Sequence, residues 1–273
     1  MKFGTAGVPN CSKDKSTIGG IKTIGELKLD AMEVQFVIGV RMNEQKAKDV
    51  KLIADSLNIT LSVHAPYYIN LNAETKKKIE DSIKRLIDTV RVGGIFARNI
   101  VFHPGYYLKS SKDTAFKNIR DNLKPVLEYI EQRNLDVVLR PETTGKLSQF
   151  GDLDETLNLC HELGILPCID FSHLHARMRG AMNSYEEFSA TIEKVEKVLG
   201  KEALKDMHIH VSGIEYGMKG EKRHLNLKES DFKYEDLLKV LKDYDVDGII
   251  IIESPNLEED ALMLKKIWND LIK

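Results

Sequence analysis

The chain has 273 residues, 42% of them hydrophobic and 30% charged, with only seven prolines; this excludes an extended disordered protein and suits one barrel-sized domain over residues 1–273. No apolar run approaches the roughly 20 residues that a bilayer demands, and the start lacks a signal-peptide pattern, so a cytoplasmic protein with no membrane partner is expected. A net charge of −2 gives no overall attraction to nucleic acid, which leaves only a local basic patch for any phosphate contact.

From the N-terminus onward, short β-branched runs alternate with longer amphipathic stretches. Strands are predicted at 2–8, 31–40, 59–64, 99–103, 136–142, 167–171, 207–211 and 248–253. Helical spacing is read at 43–57, 73–92, 110–132, 155–163, 185–199, 232–241 and 257–272, with a weak helix at 17–27. Eight strands with intervening helices predict the α/β class and a single closed (β/α)8 TIM barrel. Cys11, Cys160 and Cys168 lack CxxC spacing, which argues against a disulfide framework or a zinc knuckle.

The strand ends carry the chemistry. The third predicted strand ends at His64, the fourth at His103, the fifth at Glu142, the sixth at Asp170 with His173 beyond it, and the eighth at Glu253. The seventh offers His208 and His210, which share a face because they stand two apart. In a TIM barrel the carboxyl ends of the strands form the active-site face, and imidazoles mixed with carboxylates there suit zinc or manganese. A single histidine after an apolar run is usually a packing residue, and His161 and His175 are read that way. Six consecutive strands delivering such groups to one rim are harder to explain as packing.

The segments His64-Ala65-Pro66-Tyr67-Tyr68-Ile69-Asn70-Leu71, Phe102-His103-Pro104-Gly105, Glu142-Thr143-Thr144-Gly145 and Cys168-Ile169-Asp170-Phe171-Ser172-His173 resemble the endonuclease IV family of apurinic/apyrimidinic endonucleases, within the xylose-isomerase-like barrels. The resemblance implies that His64 and His103 hold one metal and that Glu142 bridges to a second, completed by Asp170, His208 and Glu253. His210 would be a ligand or stand behind one. A third metal would join His173 to Glu221 and His224, although family members space the acidic residue and the histidine one residue closer. Two or three divalent cations are implied, zinc first and manganese as the alternative.

The implied reaction is hydrolysis of the phosphodiester 5′ to an abasic site, leaving a 3′-hydroxyl. Glu142 would orient the attacking hydroxide, with Glu253 as ligand or base. The implied partner is double-stranded DNA with abasic lesions, bound by a monomer. Tyr67 stands where family members insert a tyrosine at the lesion, and Arg177, Arg179, Lys222 and Arg223 are candidates for phosphate contacts. The alternative is a metal-dependent sugar isomerase or epimerase of the same barrel superfamily, which has no use for basic loops. A non-catalytic metal- or nucleic-acid-binding barrel would be expected to lack Glu142 or Glu253.

Overall fold

Residues 249–252 are four consecutive isoleucines, and all four are buried. Such a run cannot alternate between a wet and a dry face; it belongs in a parallel strand covered on both sides. A computed structural model describes residues 1–272 and places it so. In chain order the strands are β1 (Lys2–Ala6), β2 (Ala31–Gln35), β3 (Thr60–His64), β4 (Asn99–Phe102), β5 (Val138–Pro141), β6 (Cys168–Asp170), β7 (Met207–Val211), β8 (Gly213–Gly217), β9 (Gly220–Leu225) and β10 (Gly248–Ile252). Eight of these form one sheet in the order β5-β4-β3-β2-β1-β10-β7-β6, while β8 and β9 make a separate hairpin. The helices are α1 (Thr17–Glu26), α2 (Glu44–Ser56), α3 (Lys76–Gly93), α4 (Lys112–Gln132), α5 (Leu153–Leu163), α6 (Phe171–Arg177), α7 (Tyr185–Leu199), α8 (Tyr234–Asp243) and α9 (Glu258–Leu271). None among the described residues is long and apolar enough to cross a membrane.

The two ends of the sheet, β5 and β6, meet through a single bridge between Glu142 and Cys168. A side chain completes this seam: Thr143 Oγ1 accepts from the Asp170 amide at 2.9 Å and donates to the Asp170 carbonyl at 3.2 Å. The barrel therefore closes at its carboxyl-terminal rim, next to the polar strand ends. At the opposite end the buried Arg140 acts as a plug. Its guanidinium donates to Asn99 Oδ1 at 2.9 Å, to the Asp206 carbonyl at 2.8 Å and to Asp206 Oδ1 at 2.6 Å.

Local chemistry sets the helix boundaries. The stretch read as a weak helix forms α1 in full, because the Ser16 hydroxyl accepts from the Gly19 amide and caps it. Asp152 and Glu155 form a capping box at the start of α5, and Gly164 ends that helix in the left-handed conformation at φ 65°. The second strand is shorter than expected, with regular pairing ending at Gln35. Two elements are new relative to the sequence reading. Helix α6 starts directly from Asp170, which is its N-cap, with no loop to announce it. The β8–β9 hairpin lies in what was read as a basic loop.

Candidate metal centre

His64 ends β3, His103 and Glu142 follow β4 and β5, and Asp170 ends β6. His173 lies one turn into α6, His210 is on β7, Glu221 and His224 are on β9, and Glu253 follows β10. These nine residues group into three sets whose candidate donor atoms lie within 4.8 Å of one another: His64, His103 and Glu142; Glu142, Asp170, His210 and Glu253; and His173, Glu221 and His224. Glu142 is common to the first two. They open into a cavity of about 330 Å³ that is also lined by Tyr67, Tyr106, Lys146 and Gln149.

Three of the histidines are oriented by their other nitrogen. A carbonyl or carboxylate oxygen only accepts, so the ring nitrogen facing it carries the proton and the opposite nitrogen keeps its lone pair. His64 Nδ1 donates to the Ala65 carbonyl at 2.7 Å, His173 Nδ1 to the Thr143 carbonyl at 3.0 Å and His224 Nδ1 to the Glu253 carbonyl at 3.1 Å. The lone pairs then face other acceptors. His64 Nε2 is 3.2 Å and His103 Nε2 2.9 Å from Glu142 Oε2. His173 Nε2 lies 3.4 Å from His224 Nε2 and 3.7 Å from Glu221 Oε2.

In the middle set, Glu142 Oε1, Asp170 Oδ2 and His210 Nδ1 are buried without a well-formed hydrogen bond, the two oxygens sharing only the His173 Nδ1 proton at 3.1 and 3.2 Å, which is already given to the Thr143 carbonyl. Acceptors converging on acceptors in a dry site are costly unless a cation stands between them. The donor sets therefore fit divalent metals, and their imidazoles and carboxylates suit zinc or manganese.

The protonation tendencies agree. Burial works against charge on Glu142, yet His103 and His210 hold it well below the usual carboxylate range. Burial likewise opposes the charged forms of His173 and His210, but their neighbours raise both well above the ordinary imidazole value: Asp170, Glu142 and Glu221 for His173, and Cys168, Glu33, Glu253 and Glu142 for His210. Asp170 is pushed up to about 7 by burial, with the negative Glu142 and Glu253 adding to it against His173. These are the responses of a cation site to protons.

The extra residue between Glu221 and His224 has a structural answer. Residues three apart on a regular strand face opposite sides. Here the register pairs His224 with Ile214 and Arg223 with Glu215, then slips so that Glu221 pairs with Tyr216. Lys222 is thus the extra residue of a β-bulge, and the bulge returns Glu221 and His224 to one face. Gly145 makes room for them, since a Cβ there would lie 2.7 Å from Glu221 Cβ and 3.1 Å from His173 Cδ2.

Two residues stand elsewhere than the resemblance implies. His208 lies deeper in the barrel, grouped with Cys168 and His210, while His210 also stands with Glu142, Asp170 and Glu253. The pair share a face, and only depth separates them. Arg177, expected to contact phosphate, is buried: it donates to the carbonyls of Lys146 at 2.6 Å, Gln149 at 3.0 Å and Thr144 at 3.3 Å. The unforeseen α6 turns it under the loop after β5.

Arg179 is exposed. Lys222 and Arg223 are exposed but both contact Glu215, at 3.1 and 2.8 Å. Tyr67 is half exposed over the mouth, its ring 5.4 Å from that of His64 and 6.0 Å from that of His103. His175 is packed away from the site against Asp231, and His161 lies on the outside of α5.

One buried group escaped the sequence reading. Glu33, inside β2, accepts from His208 Nε2 at 2.9 Å and faces His210 Nε2 at 3.1 Å. A charged residue in an apolar strand is its only signature.

Residues 21–268 match the family model described as xylose isomerase-like TIM barrel. An uncharacterized protein of Methanocaldococcus jannaschii is 55% identical over 98% of this chain and 97% of its own length. A probable endonuclease 4 of Bacillus subtilis is 27% identical over 72% of this chain and 67% of its own. Among solved structures, a D-tagatose 3-epimerase-like protein superposes with TM-score 0.77 at 20% identity over 100% of this chain and 97% of its own. Endonuclease IV from Thermus thermophilus superposes with TM-score 0.74 at 17% identity over 98% of both chains. With the family model spanning all but the ends of the sequence, the chain belongs to the xylose isomerase-like TIM barrel family.

Proposed function

We propose that this protein is a metal-dependent phosphodiesterase that cuts double-stranded DNA 5′ to abasic sites and leaves a 3′-hydroxyl. The observation that carries the reading is the number of donors: nine side chains in three adjacent sets around one cavity. Zinc fits all three sets, with manganese the alternative. When bound, such cations supply a hydroxide nucleophile near neutral pH and neutralise charge on the phosphate and the leaving oxygen.

The protein's own groups do the positioning. Glu142 ties the first two sets together through its two oxygens, and Glu253 lies at the rim of the cavity, where it serves as ligand or base. Tyr67 covers the mouth and offers a ring to stack where a base is missing. An abasic nucleotide is cheap to extrude because it has no base to unstack. Arg179, Lys222 and Arg223 are exposed and remain the candidates for phosphate contact. The probable endonuclease 4 of Bacillus subtilis supports this assignment by similarity.

A metal-dependent sugar epimerase is the second reading, because Glu142, Asp170, His210 and Glu253 alone could hold one cation beside a sugar carbonyl. It leaves His64, His103 and the His173 set without a purpose. The test is incision of a duplex containing one abasic analogue by metal-loaded protein, with chelator-treated protein and Glu142→Gln as controls. Metal-dependent incision 5′ to the lesion, lost in the variant, is expected. A folded, metal-bound protein that leaves the duplex intact but epimerises a ketose would overturn the proposal.

A further inference from the structure

Below the metal donors, the barrel holds a second polar layer. Glu33 is fully buried, and its carboxylate takes four donors: Ser62 Oγ at 2.9 Å, His208 Nε2 at 2.9 Å, Gln35 Nε2 at 3.2 Å and His210 Nε2 at 3.1 Å. The sheet order separates β2 from β7 by β1 and β10, so this carboxylate reaches across the barrel interior to both histidines. None of these distances is to a residue at the cavity surface.

We propose that Glu33 is a positioning residue for metal capture: it fixes the proton of His210 on Nε2 and so turns the Nδ1 lone pair to the rim. This rests on the reading that His210, Glu142, Asp170 and Glu253 together hold a cation. An ionised carboxylate only accepts, so both imidazoles present Nε2–H to it. His210 Nδ1 is thereby left basic, 3.4 Å from Glu142 Oε1 and 3.5 Å from Glu253 Oε1, with no hydrogen bond of its own. A carboxylate behind a ligating histidine also raises the basicity of the ring.

His208 plays a different part. It holds Glu33 Oε2 in place from the side, and its own Nδ1 is buried and unpartnered. In this arrangement it acts as a strut for Glu33; the competing arrangement, in which its Nδ1 joins Cys168 and His210 around an ion, is separated by the titration below. Glutamine at position 33 would keep the shape but offers one oxygen where the two histidines and Ser62 now find two. The amide's N–H groups would also favour the opposite tautomer of one ring.

The test is a Zn²⁺ and Co²⁺ titration of the whole chain against a chromophoric chelator, on wild type, Glu33→Gln, His208→Asn and His210→Ala. The visible absorption of the Co²⁺ form is recorded in parallel. His210→Ala is expected to lose one ion. Glu33→Gln should bind that same ion about 10- to 100-fold more weakly, the range seen for such outer partners, and leave the others unchanged. His208→Asn, whose amide can still donate to Glu33, should stay within a few-fold of wild type.

Four results are adverse. Unchanged affinity for every ion in Glu33→Gln overturns the proposal, as does a uniform loss of all ions, which marks a structural role only. Loss of one ion in His208→Asn with none lost in His210→Ala makes His208 the ligand. If His210→Ala and His208→Asn both keep every ion, the underlying donor set is wrong, which is a separate failure from that of Glu33. His208→Asn and His210→Ala remain informative if Glu33→Gln does not fold.

Discussion

Asp170 should act against the stability of the metal-free protein, and Asp170→Asn should reveal by how much. Its carboxyl is fully buried and is pushed from 3.8 to about 7, first by burial and then by Glu142 and Glu253, with His173 in opposition. An acid whose folded pKa is raised costs stability wherever the unfolded chain ionises it. The cost is absent below about pH 4, grows through the window and is complete above about pH 7. At 1.36 kcal/mol per pKa unit it reaches about 4 kcal/mol.

Asparagine keeps the oxygen that caps α6, where Asp170 Oδ1 accepts from the His173 amide at 2.7 Å, so the gain is not offset by a lost cap. In urea unfolding with chelator present, Asp170→Asn should exceed wild type by about 2–4 kcal/mol at pH 8 and by about 1 kcal/mol or less at pH 4.5. That corresponds to a Tm about 5–10 °C higher at pH 8. Adding zinc at about 1,000 times Kd should reverse the order, since binding then stabilises wild type by about 4.1 kcal/mol and the variant lacks a candidate ligand. A metal-free variant no more stable than wild type at pH 8 would refute the picture of Asp170 as a dehydrated carboxylate crowded by its own kind.

The third donor set and the basic residues yield three more expectations. Gly145→Ala puts a methyl within 2.7 Å of Glu221 Cβ and should remove one metal per chain while far-ultraviolet circular dichroism stays unchanged. Deleting Lys222 removes the extra residue together with the bulge and leaves Glu221 and His224 two apart on one face; metal analysis should show a full complement of ions, and loss of one would refute the bulge argument. Arg177→Ala strips three carbonyls of their donor and should cost about 2–4 kcal/mol in urea unfolding without altering the salt dependence of DNA binding. Arg179→Ala should do the reverse, lowering the slope of log K against log salt by about one and leaving stability unchanged.

The barrel was legible because its signal is redundant. Eight β-branched runs, each followed by a helical period, point to the same closure, and a slip of a few residues at one end changes nothing. Gln35 ending β2 early and Ser16 rescuing α1 are local events of that kind. The hairpin was less legible, for a physical reason. β8 and β9 have small or charged residues where a buried strand would have apolar ones, because one face of the ribbon meets the metal donors and the other meets water. Without an apolar alternation, the segment reads as a loop. Arg177 was misplaced for a related reason: a basic residue near the rim reads as a phosphate contact unless the seven-residue helix that buries it is foreseen.

The candidate metal donors illustrate how far a strand-end rule reaches. It finds His64, His103, Glu142, Asp170 and Glu253, because each is the last or the next residue of its strand and carries a type that is rare in an apolar core. It does not choose between His208 and His210 on β7, which satisfy the face requirement equally and differ only in height along the barrel. Height follows from stagger between strands, and the parallel register sets Asp170 beside His210 and Cys168 beside His208. That pairing is a property of the closed sheet, not of any one segment. The same height argument explains Glu33: it is on β2, below the rim, so a search of strand ends passes over it. Yet a buried carboxylate can be accommodated there only if the residues opposite it are donors, and the two histidines of β7 are the donors it meets. The second histidine of Met207-His208-Ile209-His210 thus has its explanation in a glutamate 177 residues away.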